Sequence, residues 1–168
     1  MRVDTFLDVI GYNPTEIEAL SILGRLLLAL ILGGAIGFER QIHHQASGFR
    51  THMLVSTAAA MFTILTMELY HYMDGLGSTT ARLDPIRVIE AVTAGVAFLA
   101  AGSIIRSGTN VKGLTTGAVM WMAGAIGVAC GAGFMLVALI GTGLALLITF
   151  VLKRVEGRAL PDTGPHGK

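Results

Sequence analysis

The sequence predicts an all-α protein, an integral-membrane bundle of five transmembrane helices with its N-terminus outside and its C-terminus inside. Three observations predict it. Hydrophobic residues make up 53% of the 168 and charged residues only 14%, with a mean hydropathy of +0.69, against about 25% charged in soluble domains. Glycine supplies 22 residues, and membrane helices carry Gly more readily than soluble ones. Apolar stretches of the roughly 17 to 25 residues that cross a bilayer recur along the chain. This composition excludes a soluble enzyme with a water-exposed shell, a disordered tail and a collagen-like repeat. A net charge of +1 without a long basic run excludes the electrostatic footprint of a nucleic-acid binder. Cys130 is the single cysteine, so neither an internal disulfide nor a thiolate metal cage is available.

The five spans run approximately over Ile22–Phe38, Met53–Leu69, Val88–Ile105, Leu114–Cys130 and Phe134–Leu152. They divide the chain into an external tail and helix start at residues 1–19, a membrane domain at 20–152, and a short basic cytoplasmic tail at 153–168. The leading segment carries Asp4, Asp8, Glu16 and Glu18 against Arg2, unlike the basic start of a signal peptide, and reads as a retained tail.

Capping chemistry places the helix starts. Asn13-Pro14, with Glu16 three residues after Asn13, has the form of a capping box, so the first helix is expected to begin at Pro14 and to run through Phe38. At 1.5 Å per residue that is roughly 38 Å, long enough to require tilt or protrusion. Arg50 and His52 open the second helix, and Asp84-Pro85 opens the third. Ser107-Gly108-Thr109-Asn110 is expected as a hinge between the third and fourth, and Gly131-Ala132-Gly133 as the hinge between the fourth and fifth. Joins this short make antiparallel neighbours. Orientation follows the excess of Lys and Arg in cytoplasmic loops. Arg40, Arg50, Arg106, Lys112, Lys153, Arg154, Arg158 and Lys168 fall on one side, against Arg2, Arg25, Arg82 and Arg87 on the other.

Helices in lipid associate through small residues spaced four apart, since lipid is as apolar as the helices themselves. Gly33 with Gly37, Gly113 with Gly117, and Gly127 with Gly131 make such pairs, while Gly95, Ala97, Ala101 and Gly102 give the third helix a small face. Gly33, Gly37, Gly95, Gly102, Gly113 and Gly117 are the expected packing positions. They predict one compact core with surplus face for a partner.

A charge at the bilayer centre costs about 2.5 to 3.5 kcal/mol on insertion scales, so every charge near a span requires an account. Arg25 and Glu90 lie near the outer face, where Arg can snorkel outward. Glu39, Arg40, Arg50, His52 and Arg106 converge on the inner side. Two readings stand side by side: interfacial anchoring with the positive-inside signal, and a polar cluster at the inner mouth with Glu39 paired to Arg50. In the second, Glu39 is a cation ligand or a proton-bearing group. Lys112-Gly113-Leu114-Thr115-Thr116-Gly117 opens the fourth helix, where it is either a structural cap or, with Arg106, an anion site.

His43, His44, His52 and His71 raise the question of a metal. Glu39 and His43 are four apart, and Glu68 with His71 makes one Glu-x-x-His, where a di-iron bundle uses two such pairs and two further Glu. Glu39 and Glu68 are also expected at opposite membrane faces. Neither a transition metal nor a cofactor is therefore expected, although Asp74, Asp84 and Glu90 could line an external loop that attracts Mg²⁺. No nucleophile elbow, zincin motif or dinucleotide fingerprint occurs, so no enzyme activity is expected.

The stretches Arg25-Leu-Leu-Leu-Ala-Leu-Ile-Leu-Gly-Gly-Ala-Ile-Gly-Phe-Glu-Arg40 and Ser47-Gly-Phe-Arg-Thr-His-Met-Leu-Val55 resemble the membrane domain of the MgtC/SapB family. The resemblance continues through Gly95-Val-Ala-Phe-Leu-Ala-Ala-Gly102 and Val111-Lys-Gly-Leu-Thr-Thr-Gly-Ala118 to Trp121 and Ala125-Ile-Gly127, covering most of residues 20–152. It implies a bacterial inner-membrane protein, of a family associated with adaptation to low Mg²⁺, survival in hosts and restraint of the F-type ATP synthase. The family's polar positions correspond here to Glu39, Arg40, Arg50, Thr51, Lys112, Thr115 and Thr116. Ala97 and Ala100 stand where the family more often has Gly, and the sequence ends soon after the fifth helix, without the soluble domain of longer members. The expectation is a small regulator in magnesium or ion homeostasis that contacts another membrane protein, the F-type ATP synthase among the candidates, or a second copy of itself. The alternative is a transporter or channel for Mg²⁺ or another cation.

Overall fold

The computed structural model describes residues 13–75, 85–107 and 110–159. Among them the chain forms five helices: α1 Ala19–Ile42, α2 Phe49–Gly75, α3 Pro85–Gly102, α4 Leu114–Gly131 and α5 Met135–Ala159. A short hairpin joins α3 to α4, with β1 Ile105–Ser107 antiparallel to β2 Asn110–Lys112. The five expected spans each fall on a helix. Of these, α1, α2 and α4 are long and apolar enough to cross a membrane, and Met135–Val151 of α5 is a further apolar stretch.

Three expectations about boundaries are corrected. The first helix begins at Ala19 rather than Pro14, because its preceding amides are taken by another helix. The backbone N–H groups of Glu16 and Ile17 donate to the Glu68 carboxylate of α2 at 2.8 and 2.9 Å, and Glu18, at the helix N-cap, makes no side-chain capping bond. The local capping box yields to a charged acceptor from outside the segment. The third helix stops at Gly102, so Ile105 lies in a strand and the expected hinge is the hairpin tip, of which residues 108–109 lie outside the described residues. Ser103 ends α3: its hydroxyl donates to the Ala100 carbonyl at 2.7 Å, and the Ser103 and Ile104 amides take carbonyls three residues back at 3.0 and 3.1 Å, tightening the last turn. The fifth helix continues through Ala159, so the expected cytoplasmic tail begins as helix. Residues 1–12, with the acidic tail and Arg2, and Arg82, Asp84 and Lys168 lie outside the described residues.

The fourth helix is the hub, packed against each of the other four, and the largest single seam joins α1 to α2. The core is made of Ala29, Leu32, Ile36, Ala60, Val119, Ile126, Cys130, Ala138 and Ala145. Many of these are small. Close approach of backbones is what holds such a bundle, and the glycines show where it happens. A Cβ on Gly33 would lie 2.6 Å from the His52 carbonyl oxygen, and one on Gly37 2.8 Å from the Phe49 Cα, both on α2. Gly127 and Gly131 bring α4 equally close to α2, over Ser56 and Ala60. Gly117 faces Ala100 of α3. Gly113, at φ +90°, starts α4 from a left-handed conformation that a side chain would disfavour. Gly95 and Gly102 depart from expectation: nothing lies within 4 Å of the position a Cβ would take. Both are exposed, Gly95 at the edge of a groove of about 540 Å³ shared by α2 and α3, with Phe98 between them 81% exposed.

Candidate functional site

The site is built where α1 ends. Glu39 and Arg40 occupy its last turn, and the chain then reverses through His44, at φ +52°. Gln45 is folded back on the helix end, its amide donating to the Arg40 carbonyl at 3.1 Å. The Gln41 side-chain oxygen accepts from the Phe49 amide at 3.2 Å, and Phe38 meets Phe49 edge-on with centroids 6.3 Å apart. These contacts lock the α1–α2 turn and fix the direction of Arg40.

Arg40 is 5% exposed. Its Nη2 donates to Gln45 Oε1 at 3.0 Å and to Thr116 Oγ1, on the first turn of α4, at 3.1 Å. Beside it, His43 Nδ1 lies 2.8 Å from the Glu39 carbonyl oxygen and 3.0 Å from Glu39 Oε1. Two acceptors at one nitrogen mean that Nδ1 carries the proton. His52 on α2 is fully buried, bonded through Nδ1 to the Gly48 carbonyl at 2.9 Å, and within electrostatic reach of Arg40 and Glu39. Glu39 Oε2, Arg40 Nε, Ser47 Oγ, His52 Nε2, Ser56 Oγ and Thr57 Oγ1 are buried without a hydrogen-bond partner. Buried polar atoms are normally satisfied, so their concentration around this end of the bundle marks it as the part of the fold least explained by packing.

Alongside lies a cavity of about 390 Å³ between α1, α4 and α5. Its polar lining is Glu39, Arg40, His43, Gln45, Thr115 and Thr149, and its apolar lining is Ala118, Val119, Met122, Ala145 and Ile148. Thr115 and Thr149 lie toward the Glu39 end of their helices, whereas Met122 and Ala145 lie deeper by roughly 10 and 6 Å at 1.5 Å per residue. The cavity is therefore graded along the helices from polar at the Glu39 end to apolar further along.

Of the residues expected at the inner mouth, the structure brings Arg40 and Thr116 into direct contact and places Glu39 and Thr115 on the shared cavity. Arg50 does not join them: it is exposed, and Glu39 pairs with His43 instead. The physical reason is the seating of Phe49 on Gly37, which turns the next residue of the helix outward. Thr51 is half-buried on α2, away from the cavity lining, and Lys112 is exposed on β2. Sequence reasoning did not assign Gln45 or Thr149 to the site, whereas His52, expected on the inner side, is there. Gln45 has no periodic signal because it acts from a reversal, whereas Thr149 is legible as a hydroxyl within an apolar run.

At the opposite end, Arg25 reaches the turn between α4 and α5. Its Nη1 donates to the Gly131 carbonyl at 2.9 Å, capping the C-terminus of α4, where a cation also suits the helix dipole. Glu68 holds the start of α1 at that same end, so Glu39 and Glu68 do lie at opposite ends of the bundle. Asp74 and Glu90 are exposed. Among the described residues no three His, Cys, Asp or Glu side chains gather as metal ligands.

Fold and site together define a multi-pass membrane protein, a small helical bundle with one polar, cavity-bearing end. The chain belongs to the MgtC family, whose model matches residues 26–158. It is 38% identical over 136 residues, 81% of this chain and 62% of the relative, to an Escherichia coli (strain K12) protein named "Putative magnesium transporter YhiD". It is similar to proteins named MgtC from Salmonella typhimurium, 38% identical over 79% of this chain and 53% of the relative, and from Brucella abortus, 37% over 74% and 48%. The chain thus spans about half to three-fifths of the length of these curated relatives. No solved structure matches it.

Proposed function

We propose that this chain is a bacterial inner-membrane protein that serves magnesium homeostasis as a regulator, acting through contact with another membrane protein rather than by conducting the ion or catalysing a reaction. The observation that carries this reading is the closed middle of the bundle. Gly33, Ser56 and Gly127 bring α1, α2 and α4 into backbone contact there, and the buried side chains around them are mostly Ala, Leu and Ile. The polar exceptions are Thr63 and Thr142, which donate to their own helices at the Ala59 and Ala138 carbonyls, and Ser56 and His52, fully buried in the α1–α2 seam against Gly33. A conduit needs a polar or water-filled path. The magnesium association rests on the name of the Escherichia coli relative, and the F-type ATP synthase is the partner the family resemblance puts forward. The exposed face of α3, with Gly95, Phe98 and Gly102, is the surface offered to a partner.

The test is crosslinking in native membranes followed by purification of the tagged chain in mild detergent. A membrane protein recovered in near-stoichiometric amount, and lost with Gly95→Leu, is the expected result; recovery of the chain alone overturns the reading. A transporter remains the second reading, because Glu39 Oε2 is a buried carboxylate oxygen without a partner. Mg²⁺ uptake by proteoliposomes that disappears with Glu39→Gln would establish it.

A further inference from the structure

We propose that the graded cavity between α1, α4 and α5 is a binding site for a phosphate group, presented by a phospholipid head or as free phosphate. The first argument is charge. Arg40 lines the cavity at 5% exposure, and among the described residues its bonds go to the neutral Gln45 and Thr116, with no carboxylate ion pair. Burial is costly for a cation whose donors are incompletely bonded: the neighbouring Glu39 attracts the charge of Arg40 without an ion-pair contact, and Arg40 Nε is still unpartnered. Glu39 is the one acid among the described lining residues, and its Oε1 is held by His43 at 3.0 Å. A divalent cation entering here would meet Arg40 as a like charge; an anion meets Arg40 Nε as a partner and the Glu39 carboxylate, whose Oε2 is unpartnered, as a like charge, so its seat is on the Arg40 side of the cavity, away from Glu39.

The second argument is the donor set. Arg40, His43, Gln45, Thr115 and Thr149 all line this cavity; the Thr149 hydroxyl donates to the Ala145 carbonyl at 3.0 Å, one Gln45 amide hydrogen goes to the His43 carbonyl at 3.3 Å and His43 Nδ1 is held on Glu39, which leaves Arg40 Nε, the second Gln45 N–H and the Thr115 hydroxyl to meet a ligand. Thr115 also stands on the first turn of α4, an 18-residue helix whose leading amides and dipole favour an anion. The third argument is shape. Below these donors the walls are Ala118, Val119, Met122, Ala145 and Ile148, an apolar slot that a bare phosphate leaves unused and an acyl chain fills. The site is independent of the regulatory reading and stands or falls separately from it.

The full chain in maltoside micelles would be titrated calorimetrically with dihexanoyl phosphatidylglycerol, with inorganic phosphate and with dihexanoylglycerol, which lacks the phosphate. Saturable binding of the phospholipid, with none by dihexanoylglycerol, is expected. Thr115→Val and Ala118→Phe, both at exposed positions of α4, should weaken it on the order of tenfold or more without changing the melting temperature. Inorganic phosphate binding as tightly as the lipid, and lost in the same variants, would identify free phosphate as the ligand. If neither probe binds, if dihexanoylglycerol binds equally well, or if both variants bind like the parent, the proposal is overturned.

Discussion

Arg40 on α1 and Thr116 on α4 are joined by a hydrogen bond of 3.1 Å, buried and 76 residues apart in the chain. The bond ties the α1–α2 reversal to the first turn of the central helix. Through Gln45, the same nitrogen also holds the reversal itself. One guanidinium therefore links three segments at this end of the bundle.

Arg40→Ala should destabilise the protein by roughly 1.5 to 3 kcal/mol, the range for hydrogen bonds to a charged group, and Thr116→Val by about 1 kcal/mol. In a double-mutant cycle the two should couple by more than about 0.5 kcal/mol. Equilibrium unfolding in mixed micelles measures this, and strictly additive losses would show that the bond contributes nothing.

Glycines that look alike in sequence should behave differently. Gly33→Val and Gly127→Val force a side chain into α2 backbone and should cost at least about 1 to 3 kcal/mol, seen as lost folded yield or a lower melting temperature. Gly95→Ala meets open space and should be neutral or stabilise by roughly 0.5 to 1 kcal/mol through helix propensity. Equal damage at Gly95 and Gly33 would contradict the seam assignment.

Glu68→Ala removes the acceptor for the Glu16 and Ile17 amides. Hydrogen exchange at those two positions should accelerate by on the order of tenfold or more, with a loss of roughly 1 to 3 kcal/mol. Exchange at α4 should stay unchanged. Unaltered protection of Glu16 and Ile17 would mean that the carboxylate does not hold the segment.

Arg25→Leu leaves the Gly131 carbonyl without its cap and should lower stability by roughly 1 to 2 kcal/mol. Arg25→Lys should recover part of the loss, since an ammonium can still reach a carbonyl. A full loss in both would point to packing of the guanidinium stem instead.

Cys130 is the single cysteine and is buried, so a water-soluble maleimide should leave the folded chain unlabelled. His44→Cys, at an exposed position in the reversal, should then label from the cytoplasmic side only, as the N-out, C-in arrangement requires. Labelling from the opposite side would invert the topology.

What the sequence by itself determined was the class of fold: the five helices of the described residues, their approximate places, and the separation of Glu39 from Glu68 to opposite ends. Span length and hydropathy are local properties, and the bilayer selects on them directly. The tertiary structure decided which surfaces meet. Lipid and core are equally apolar, so the hydrophobic pattern of a membrane helix does not say which face turns inward. Gly33 and Gly95 are equivalent in that pattern and opposite in the fold. The same holds for the charges. Glu39 has Arg50 and His43 both within reach along the sequence, and the seating of Phe49 on Gly37 leaves it His43. The start of α1 was misplaced for a related reason: a local cap competes with an acceptor about 50 residues away, and the charged, bidentate one wins. The cavity has no sequence signature at all, because its lining is drawn from α1, the reversal after it, α4 and α5, and only their packing brings Arg40, Thr115 and Thr149 to one place.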